Sequence, residues 1–385
     1  MFSIDARIKR DFLETCSRIR DGSLRLKTPE GETHDFGSGE PHAEMEIHDW
    51  SVVVACLTRG DIGLGETYVE GLWDTPSIAN VTEVALRNID EFQGYAHAGF
   101  FNRLKFRVLN SLLRANSTRG ASRNIRAHYD VGNDFYKLWL DPGMTYSSAI
   151  FDGDASDLHD GQNRKIDRII NRLSDGDRVL EIGCGWGGFA ERAAESGRHV
   201  TGLTISPSQH QFAQDRLQNR ADIRLQDYRK SSGKFDNIVS IEMIEAVGEA
   251  YWPTYFGTLA SRLNEGGRVL IQAITVKDSY FDIYRKGSDF IRHYTFPGGM
   301  LLSDSVIASQ ARQAGLAVRD SFAFGQDYSK TCAIWNQRIG EKRRQIQQLG
   351  YDDRFIRNWQ FYLGICTASF KVGQTNVVQV ELAQA

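Results

Sequence analysis

Cysteine is scarce in this sequence, and its few copies are far apart. There are five cysteines, an odd number, and no two of them form a Cys-x-x-Cys pair. A disulfide framework and a structural zinc site both require closely spaced or evenly numbered cysteines. The sequence therefore indicates neither kind of site. The five residues are Cys16, Cys56, Cys184, Cys332 and Cys366.

Long apolar runs are also missing. The longest, Val52 to Leu57, is far shorter than the ~20 residues that a membrane-spanning helix needs. The first residues, Met1 to Asp11, carry charges where a secretory signal would have an apolar stretch. We therefore expect a cytoplasmic protein whose contact with a membrane, if it has one, is peripheral.

Charge of one sign is not in excess. The chain has 46 Lys and Arg against 49 Asp and Glu, a net charge of −3, which excludes a uniformly basic nucleic-acid-binding protein. With 41% hydrophobic and 25% charged residues, and with neither repeats nor low-complexity segments, it has the composition of a globular protein. Its 385 residues exceed one ordinary hydrophobic core, so two domains are expected.

The N-terminal part, residues 1–95, mixes short apolar stretches with glycines and predicts a small α+β domain. Two glycine-rich stretches, Gly60–Gly65 and Gly71–Asp74, are interpreted as turns. Residues 96–126 differ sharply in composition, because they contain seven basic residues and no acid. These are Arg103, Lys105, Arg107, Arg114, Arg119, Arg123 and Arg126.

Within that basic stretch, five apolar residues lie at roughly helical spacing. They are Phe100, Leu104, Leu109, Leu112 and Leu113. An apolar stripe flanked by basic residues is typical of a helix that lies on an anionic lipid surface. The same pattern also fits an ordinary packing helix with a solvated basic face, followed by a linker from Asn116 to Ala121. The sequence leaves both interpretations open.

From about Arg164 onward, strand-like apolar runs alternate with helical stretches. This alternation predicts an α/β fold with a mostly parallel sheet covered by helices on both faces. The predicted strands are Arg178–Ile182, His199–Thr204, Phe235–Ile241 and Arg268–Ile274.

The first of these strands runs directly into a glycine-rich turn, Gly183-Cys184-Gly185-Trp186-Gly187-Gly188, and then into a predicted helix, Phe189 to Glu195. Glycines let the backbone approach a ligand closely, and a helix N-terminus offers free amides. The motif therefore predicts a nucleotide-like ligand at this turn.

Two details favour S-adenosylmethionine over a nicotinamide cofactor. A nicotinamide site would place an acid about 20 residues after the glycines, yet the second strand ends in Gly202-Leu203-Thr204-Ile205-Ser206 without a carboxylate. The glycine spacing is also Gly-x-Gly-x-Gly-Gly rather than Gly-x-Gly-x-x-Gly.

Further motifs resemble, in order and spacing, those of the cyclopropane-fatty-acyl-phospholipid synthases and mycolic acid cyclopropane synthases. The resemblance covers about residues 120 to 380. The motifs are His128–Tyr136, Asp141-Pro142-x-x-Thr145-Tyr146-Ser147, the glycine turn, Leu203-Thr204-Ile205-Ser206-x-x-Gln209, Gln226-Asp227-Tyr228, Phe296-Pro297-Gly298-Gly299, Gly325-x-Asp327-Tyr328, and Tyr362–Phe370 around Cys366.

The resemblance implies a class I methyltransferase fold, with a mostly parallel seven-stranded sheet in a catalytic domain over residues 127–385. It also implies that residues 1–95 form a lipid-binding domain. The implied reaction transfers a methyl group to the cis double bond of a phospholipid acyl chain, and loss of a proton from that methyl group closes a cyclopropane ring. A homodimer on the inner face of the membrane, with anionic lipids favoured and no nucleic-acid partner, is implied too.

By the same matching, nine residues are assigned to S-adenosylmethionine. For some of them a purely structural role is open as well, since Tyr129 and Tyr146 also fit core tyrosines and Asp227 fits a turn former. The nine are Tyr129, Tyr146, Ser147, Gly183, Gly185, Thr204, Gln209, Gln226 and Asp227.

The resemblance further implies a bound bicarbonate that accepts the proton. Glu245 and Tyr328 match its ligands, and Ile274 belongs to the same catalytic cluster. Three positions depart from the family pattern, because Ser148 stands in place of a cysteine, Gln272 in place of a histidine, and Ala246 in place of the histidine that usually follows the glutamate. A glutamine donates hydrogen bonds but does not become cationic, so a weakened bicarbonate site is expected.

These departures leave the product open. Ring formation is the leading expectation. The alternatives are a methyl-branched or methylene-bearing chain, as in branched or furan fatty acid synthesis, and a lipid-binding homologue without activity. The intact glycine turn and Glu245 argue against the last of these.

Overall fold

The computed structural model describes residues 2–96, 131–153 and 157–385. The described chain divides into two compact units. One contains the described residues up to 96 together with 283–295 and 332–374. The other contains the described residues from 131 to 282 together with 296–331 and 375–385. The sequence had assigned everything from residue 127 onward to one domain, whereas two of its segments belong to the N-terminal unit.

The first unit has a four-stranded sheet with the order β2-β1-β3-β4 and several helices, which agrees with the predicted α+β architecture. Its strands are β1 (Gly22–Lys27), β2 (Thr33–Ser38), β3 (His42–Ile47) and β4 (Trp73–Asp74). The helices are α1 (Phe2–Cys16), α2 (Ser51–Arg59), α3 (Asp61–Val69), α4 (Ile78–Arg87), α5 (Ile89–Ala96), α14 (Arg343–Gln348) and α15 (Asp353–Lys371).

Helix α15 belongs to this unit because it packs on α3 and α4. Its Arg357 donates hydrogen bonds to the carboxylate of Asp74 (2.8 Å) and to the carbonyl oxygens of Tyr68 (2.6 Å) and Trp73 (2.9 Å). A guanidinium with three fixed acceptors anchors the helix far more specifically than apolar contact alone. The predicted motif around Cys366 therefore lies in the N-terminal unit.

One local prediction was wrong. The stretch Gly60–Gly65 was expected to be a turn, but it opens helix α3. A β-carbon at Gly63 would lie 2.2 Å from the carbonyl oxygen of Ala55 in α2. The glycine is required for close packing of two helices, which no rule based on turn propensity detects.

The second unit contains a seven-stranded sheet with the order β10-β11-β9-β8-β5-β6-β7. Strands β5 to β9 pair in parallel and β11 is antiparallel to both of its neighbours, which confirms the predicted α/β fold. The strands are β5 (Arg178–Ile182), β6 (His199–Thr204), β7 (Asp222–Leu225), β8 (Phe235–Ile241), β9 (Leu263–Val276), β10 (Leu316–Ala323) and β11 (Thr375–Gln384).

Helices connect these strands and cover the sheet. They are α6 (Asn133–Lys137), α7 (Leu158–Ile170), α8 (Gly188–Glu195), α9 (Pro207–Leu217), α10 (Trp252–Arg262) and α12 (Asp304–Gln313). Helices α11 (Asp278–Lys286) and α13 (Gly325–Glu341) contribute residues to both units. A core of apolar side chains, which includes residues of β5, α7, α8 and α9, holds the layers together.

Among the described helices, none combines the length and the apolar character that crossing a bilayer requires. The basic stretch 96–126, apart from Ala96 at the end of α5, lies outside the described residues.

Candidate active site

The predicted glycine turn leaves the carboxyl end of β5, which lies between β8 and β6 in the larger sheet. The amides of Gly183 and Cys184 both donate to the carbonyl oxygen of Leu203 at 2.9 Å, which ties the turn to the end of β6. Gly185 has a φ of +52° and is half-buried, yet a β-carbon there would meet no protein atom within 4 Å. The turn therefore borders a space that a ligand can fill.

Helix α8 begins directly after this turn. Its N-cap residue, Gly187, provides no side-chain acceptor for the first amides of the helix. Those amides therefore remain available to a negatively charged or strongly accepting ligand group. The geometry fits the predicted cofactor.

A second predicted segment is held rigidly by Asp141. Its buried carboxylate accepts the amides of Gly143 (2.7 Å) and Thr145 (2.9 Å) and contacts Nδ1 of His159 at 3.0 Å. The carbonyl oxygen of Gly143 in turn accepts a 2.7 Å hydrogen bond from Arg216 of α9. These bonds fix the backbone that leads into Tyr146, Ser147 and Ser148.

An aromatic cluster connects this segment with the glycine turn. The ring of Tyr136 lies 5.7 Å from that of Tyr146 and 5.0 Å from that of Trp186, measured between centroids. Trp139 packs edge-on against Tyr146 at 5.5 Å. Aromatic faces of this kind favour a cation near them, so the cluster suits both a sulfonium cofactor and a carbocation.

Ser147 is buried and engaged by a buried lysine. Nζ of Lys165 donates to its hydroxyl at 2.6 Å, and Gln162 donates to its carbonyl oxygen at 2.8 Å. Burial lowers the pKa of Lys165 to about 8, against the opposing effect of nearby carboxylates. Burial also raises the pKa of Glu181, in β5, to about 8. Desolvation thus moves both groups toward their neutral forms.

The predicted residues at the end of β6 also come together. The hydroxyl of Thr204 donates to Gln209 at 3.1 Å inside the protein, and its carbonyl oxygen accepts the amide of Gln226 at 2.9 Å. Asp227 accepts the backbone amide (2.9 Å) and the guanidinium (2.6 Å) of Arg229. Burial opposes ionisation of Asp227, but these bonds outweigh it and lower the pKa. Asp227 therefore has the structural role, as a turn former, that the sequence left open for it.

Glu242 is the centre of a hydrogen-bond cluster at the carboxyl end of β8. Its carboxylate accepts the amide of Ser148 (2.9 Å), the side-chain amide of Gln272 (2.7 Å) and the hydroxyl of Tyr328 (2.5 Å). Burial raises the pKa of this carboxyl, although the hydrogen bonds and the charge of Lys165 act in the opposite direction.

Glu245 lies three residues after Glu242 in the chain. Its Oε1 accepts the amide of Ile274 at 2.5 Å, and its buried Oε2 has no hydrogen-bond partner among the described residues. Burial and the like charge of Glu242 raise the pKa of Glu245 to about 8. The backbone of Glu245 is also held, because its carbonyl oxygen accepts the amide of Met300, which directly follows the Phe296–Gly299 motif, at 2.8 Å.

The structure therefore groups the predicted catalytic residues differently from the sequence. Ser148, Gln272 and Tyr328 were expected to share a bound anion with Glu245, but all three donate to Glu242. Of the predicted catalytic residues, it is Ile274 whose amide donates to the carboxylate of Glu245 in the described part of the chain. Of the nine cofactor residues, eight lie in the described part of the unit, and Tyr129 lies outside it.

Sequence reasoning missed Glu242, Lys165 and Gln379. Glu242 belongs to the same motif as Glu245 and lies three residues before it. A second carboxylate so close to the first could have identified it from the sequence. Lys165 occupies a buried position on α7, where a lysine is rare unless it has a partner. The role of Gln379 depends on the register between β9 and β11, which the sequence does not reveal.

The comparisons with known proteins identify the family of the chain. The family model for mycolic acid cyclopropane synthetase matches residues 116–380. The tuberculostearic acid methyltransferase UfaA1 of Mycobacterium tuberculosis is 34% identical, over 92% of this chain and 86% of that protein. The cyclopropane-fatty-acyl-phospholipid synthase of Escherichia coli K12 is 32% identical, over 89% and 88% respectively.

Solved structures point to the same fold. The mycolic acid cyclopropane synthase CmaA1, complexed with SAH and CTAB, superposes with a TM-score of 0.64 at 29% identity, covering 69% of this chain and 98% of that one. Its bound SAH and the fitting glycine turn support S-adenosylmethionine as the cofactor here. The chain belongs to the mycolic acid cyclopropane synthetase family and is an S-adenosylmethionine-dependent methyltransferase.

Proposed function

We propose that this enzyme alkylates the cis double bond of unsaturated phospholipid acyl chains and that the leading product carries a cyclopropane ring. The observation that carries the proposal is the adjacency of two sites in one sheet. Strands β5 and β8 are parallel neighbours, so the glycine turn after β5 and the carboxylates after β8 lie at the same edge. The groups for methyl transfer and the groups for removal of a proton therefore lie next to each other.

The cofactor supplies an electrophilic methyl group, and the protein supplies the surroundings that an alkene needs in order to accept it. An alkene is a weak nucleophile, so alignment in a site without water provides much of the acceleration. The cluster of Tyr136, Tyr146 and Trp186 favours the positive charge that develops. The carboxylate of Glu242, held by three donors, provides an acceptor for the proton that must leave.

The relatives support a lipid substrate. One is a cyclopropane-fatty-acyl-phospholipid synthase, and another, from Pseudomonas putida, is a probable fatty acid methyltransferase that is 35% identical over 93% of this chain. The basic residues of the stretch 96–126 support an anionic membrane surface as the place of action. We propose a cytoplasmic enzyme, associated peripherally with the inner face and acting as a homodimer.

A second product class is favoured by one specific observation. The donors expected for bicarbonate bind Glu242 instead, and UfaA1, a relative of similar identity, is named for tuberculostearic acid. A methyl-branched or methylene-bearing chain is therefore the alternative product. It requires the same methyl transfer but a different rearrangement before the proton leaves.

Isotope labelling separates these products. Vesicles of phospholipids with cis-monounsaturated chains are incubated with the enzyme and S-adenosylmethionine whose methyl group is fully deuterated. A ring or an exocyclic methylene group retains two of the three deuterium atoms, whereas a methyl branch retains all three. Mild hydrogenation followed by mass spectrometry then distinguishes the ring from the methylene group. A lipid fraction with no mass increase would contradict the proposed function.

A further inference from the structure

The strongest unassigned feature is the environment of Glu242. Three donors from three separate parts of the chain converge on one carboxylate: a backbone amide at Ser148, a side-chain amide at Gln272 in β9 and a phenol at Tyr328 in α13. Such a set of donors, arranged around a planar group with two oxygens, is a receptor for a carboxylate or a carbonate. Here a side chain of the protein occupies that receptor.

The orientation of one donor is itself fixed. The side-chain oxygen of Gln272 accepts a 3.0 Å hydrogen bond from Nε2 of Gln379, which lies opposite it in the register of β9 and β11. Gln379 is held in turn by Arg168, which donates to its oxygen at 2.7 Å. The amide of Gln272 must therefore direct its hydrogens toward Glu242.

The backbone at Glu242 is in an unusual conformation. Its φ is +48°, in the left-handed region that glycine adopts readily and that other residues seldom adopt. A strained conformation of this kind is kept only where contacts with the surrounding structure stabilise it. Such conformations are common at functional sites. The left-handed turn directs the carboxylate of Glu242 into the three donors.

The charges around Glu242 suit a group that takes up and releases a proton. The charge of Lys165 from α7 favours the ionised form of Glu242, Tyr328 of α13 donates to it, and the charge of Glu242 in turn raises the pKa of the neighbouring Glu245. Burial raises the pKa of Glu242, and a base becomes more effective as its pKa approaches the working pH. Glu242 is half-buried rather than sealed from its surroundings.

We propose that the carboxylate of Glu242 takes the place of a bound bicarbonate and is the internal proton acceptor of the reaction. This proposal rests on the proposed function. Once the methyl carbon has bonded to one alkene carbon, the neighbouring carbon is positively charged. A C–H bond of the new methyl group breaks, its electron pair forms the bond that closes the ring, and the proton passes to an oxygen of Glu242. The carboxylic acid then returns its proton to water.

Two substitutions at this position test the proposal. Glu242→Gln keeps the size of the side chain but removes the base, so turnover should fall about 10²- to 10⁴-fold with unchanged affinity for S-adenosylmethionine. Glu242→Gly removes the side chain and suits the positive φ, so it leaves the three donors facing an open space. Its turnover should be low in carbonate-free buffer and should be restored by added bicarbonate or formate.

The matched control is Gln218→Gly. Gln218 is an exposed residue at the end of α9 with a φ of +45°, so its substitution relaxes a similar backbone conformation away from the cluster. This variant should keep the turnover of the unaltered enzyme and should not respond to bicarbonate. The unaltered enzyme itself should be insensitive to removal of bicarbonate.

A binding measurement decides the point independently of activity. In ¹³C NMR titrations, labelled bicarbonate should bind to Glu242→Gly and not to the unaltered protein. Binding to the unaltered protein, or full turnover in Glu242→Gln, would overturn the proposal. If the unaltered protein transfers no methyl group to any lipid, the proposed function fails, and the titration still tells whether Glu242 occupies the anion site.

Discussion

The side-chain amides of Gln272 and Gln379 face each other across β9 and β11 and share a 3.0 Å hydrogen bond. The pair lies inside the sheet, where both residues are almost completely buried. Because Gln272 also donates to Glu242, a residue of the last strand influences the hydrogen bonding of a carboxylate that directly follows β8.

Gln379→Leu tests this positioning role. The substitution leaves the oxygen of Gln272 without its donor, which should lower the free energy of unfolding by about 1–3 kcal/mol. Gln272 should then donate less strongly to Glu242, and weaker hydrogen bonding to the ionised form raises a carboxyl pKa. The pH at which turnover reaches half of its maximum should therefore be higher in the variant than in the unaltered enzyme. Urea denaturation and a pH profile of kcat measure the two effects.

The control for that variant is Gln384→Leu, at the exposed end of the same strand. It should change neither unfolding nor the pH profile. A Gln379→Leu enzyme that is destabilised but retains the original pH profile would show that the pair is structural only.

Gly185→Val should abolish binding of S-adenosylmethionine. The branched side chain would occupy the open space beside the glycine turn and would disfavour the positive φ. Isothermal titration calorimetry on both proteins measures the affinity. Gly197→Val is the matched control, because Gly197 also has a positive φ (+86°) and open space around it but lies at the far end of α8. If the Gly185 variant binds as tightly as the unaltered protein, the cofactor does not sit at this turn.

Glu245→Gln should change the pH dependence of stability. The pKa of Glu245 is raised to about 8 in the folded protein from 4.5, so between these values the folded state holds a proton that the unfolded state has released. Stability from this group is fully present below pH 4.5 and is lost as the pH rises through 8, at up to about 1.4 kcal/mol per pH unit. The variant should lack this loss.

Denaturant titrations at several pH values between 5 and 8 compare the two proteins. Glu265→Gln, at an exposed position near the start of β9, is the control and should follow the unaltered protein. Parallel stability curves for the Glu245 variant and the unaltered protein would refute the assignment. If Glu245 acts beside the reacting group, as the resemblance implies, the same variant should bind S-adenosylmethionine normally but turn over more slowly.

Restoring the residues of the family pattern should rebuild a bicarbonate site. Ser148→Cys and Gln272→His, combined with Glu242→Gly, place a backbone amide, an imidazole and the phenol of Tyr328 around an empty position. Turnover of this triple variant should depend on bicarbonate, and the fraction of ring product should rise. With Glu242 retained, the same two changes should confer no such dependence. Product analysis by mass spectrometry, with bicarbonate supplied and withheld, measures both.

The basic stretch Arg103–Arg126 should recruit the enzyme to anionic membranes. Each basic residue near such a surface contributes about 1 kcal/mol, screened over roughly 8 Å at physiological salt. Binding to vesicles and activity should rise with the anionic lipid fraction and fall with added salt. Sedimentation with neutral vesicles of the same acyl chains is the control. Equal binding to both kinds of vesicle would favour a packing helix with a solvated face.

The sequence predicted the larger sheet well, since three of the four predicted strands have the observed bounds of β5, β6 and β8. Buried parallel strands are continuous apolar runs, and this signal is local. The glycine turn was predicted for the same reason. Helix α3 was missed because Gly63 serves a contact with a distant residue, Ala55, which only the fold reveals.

The sequence named candidate site residues one by one but not their arrangement. Ser148, Gln272 and Tyr328 were all named, yet their common partner was not, because it depends on which carboxylate the left-handed turn at Glu242 directs toward them. The role of Gln379 depends on the pairing of two strands that are about a hundred residues apart in the chain. Such relations are set by register and backbone conformation rather than by residue type.

Strand β11 follows residues 332–374, which belong to the other unit, and this order has a consequence during synthesis. A ribosome must translate that entire segment before Gln379 emerges to orient Gln272. Until then the sheet lacks the strand between β9 and β10. The hydrogen bonding of Glu242 is therefore among the last features of the site that a nascent chain can complete, long after the residues of the glycine turn have emerged.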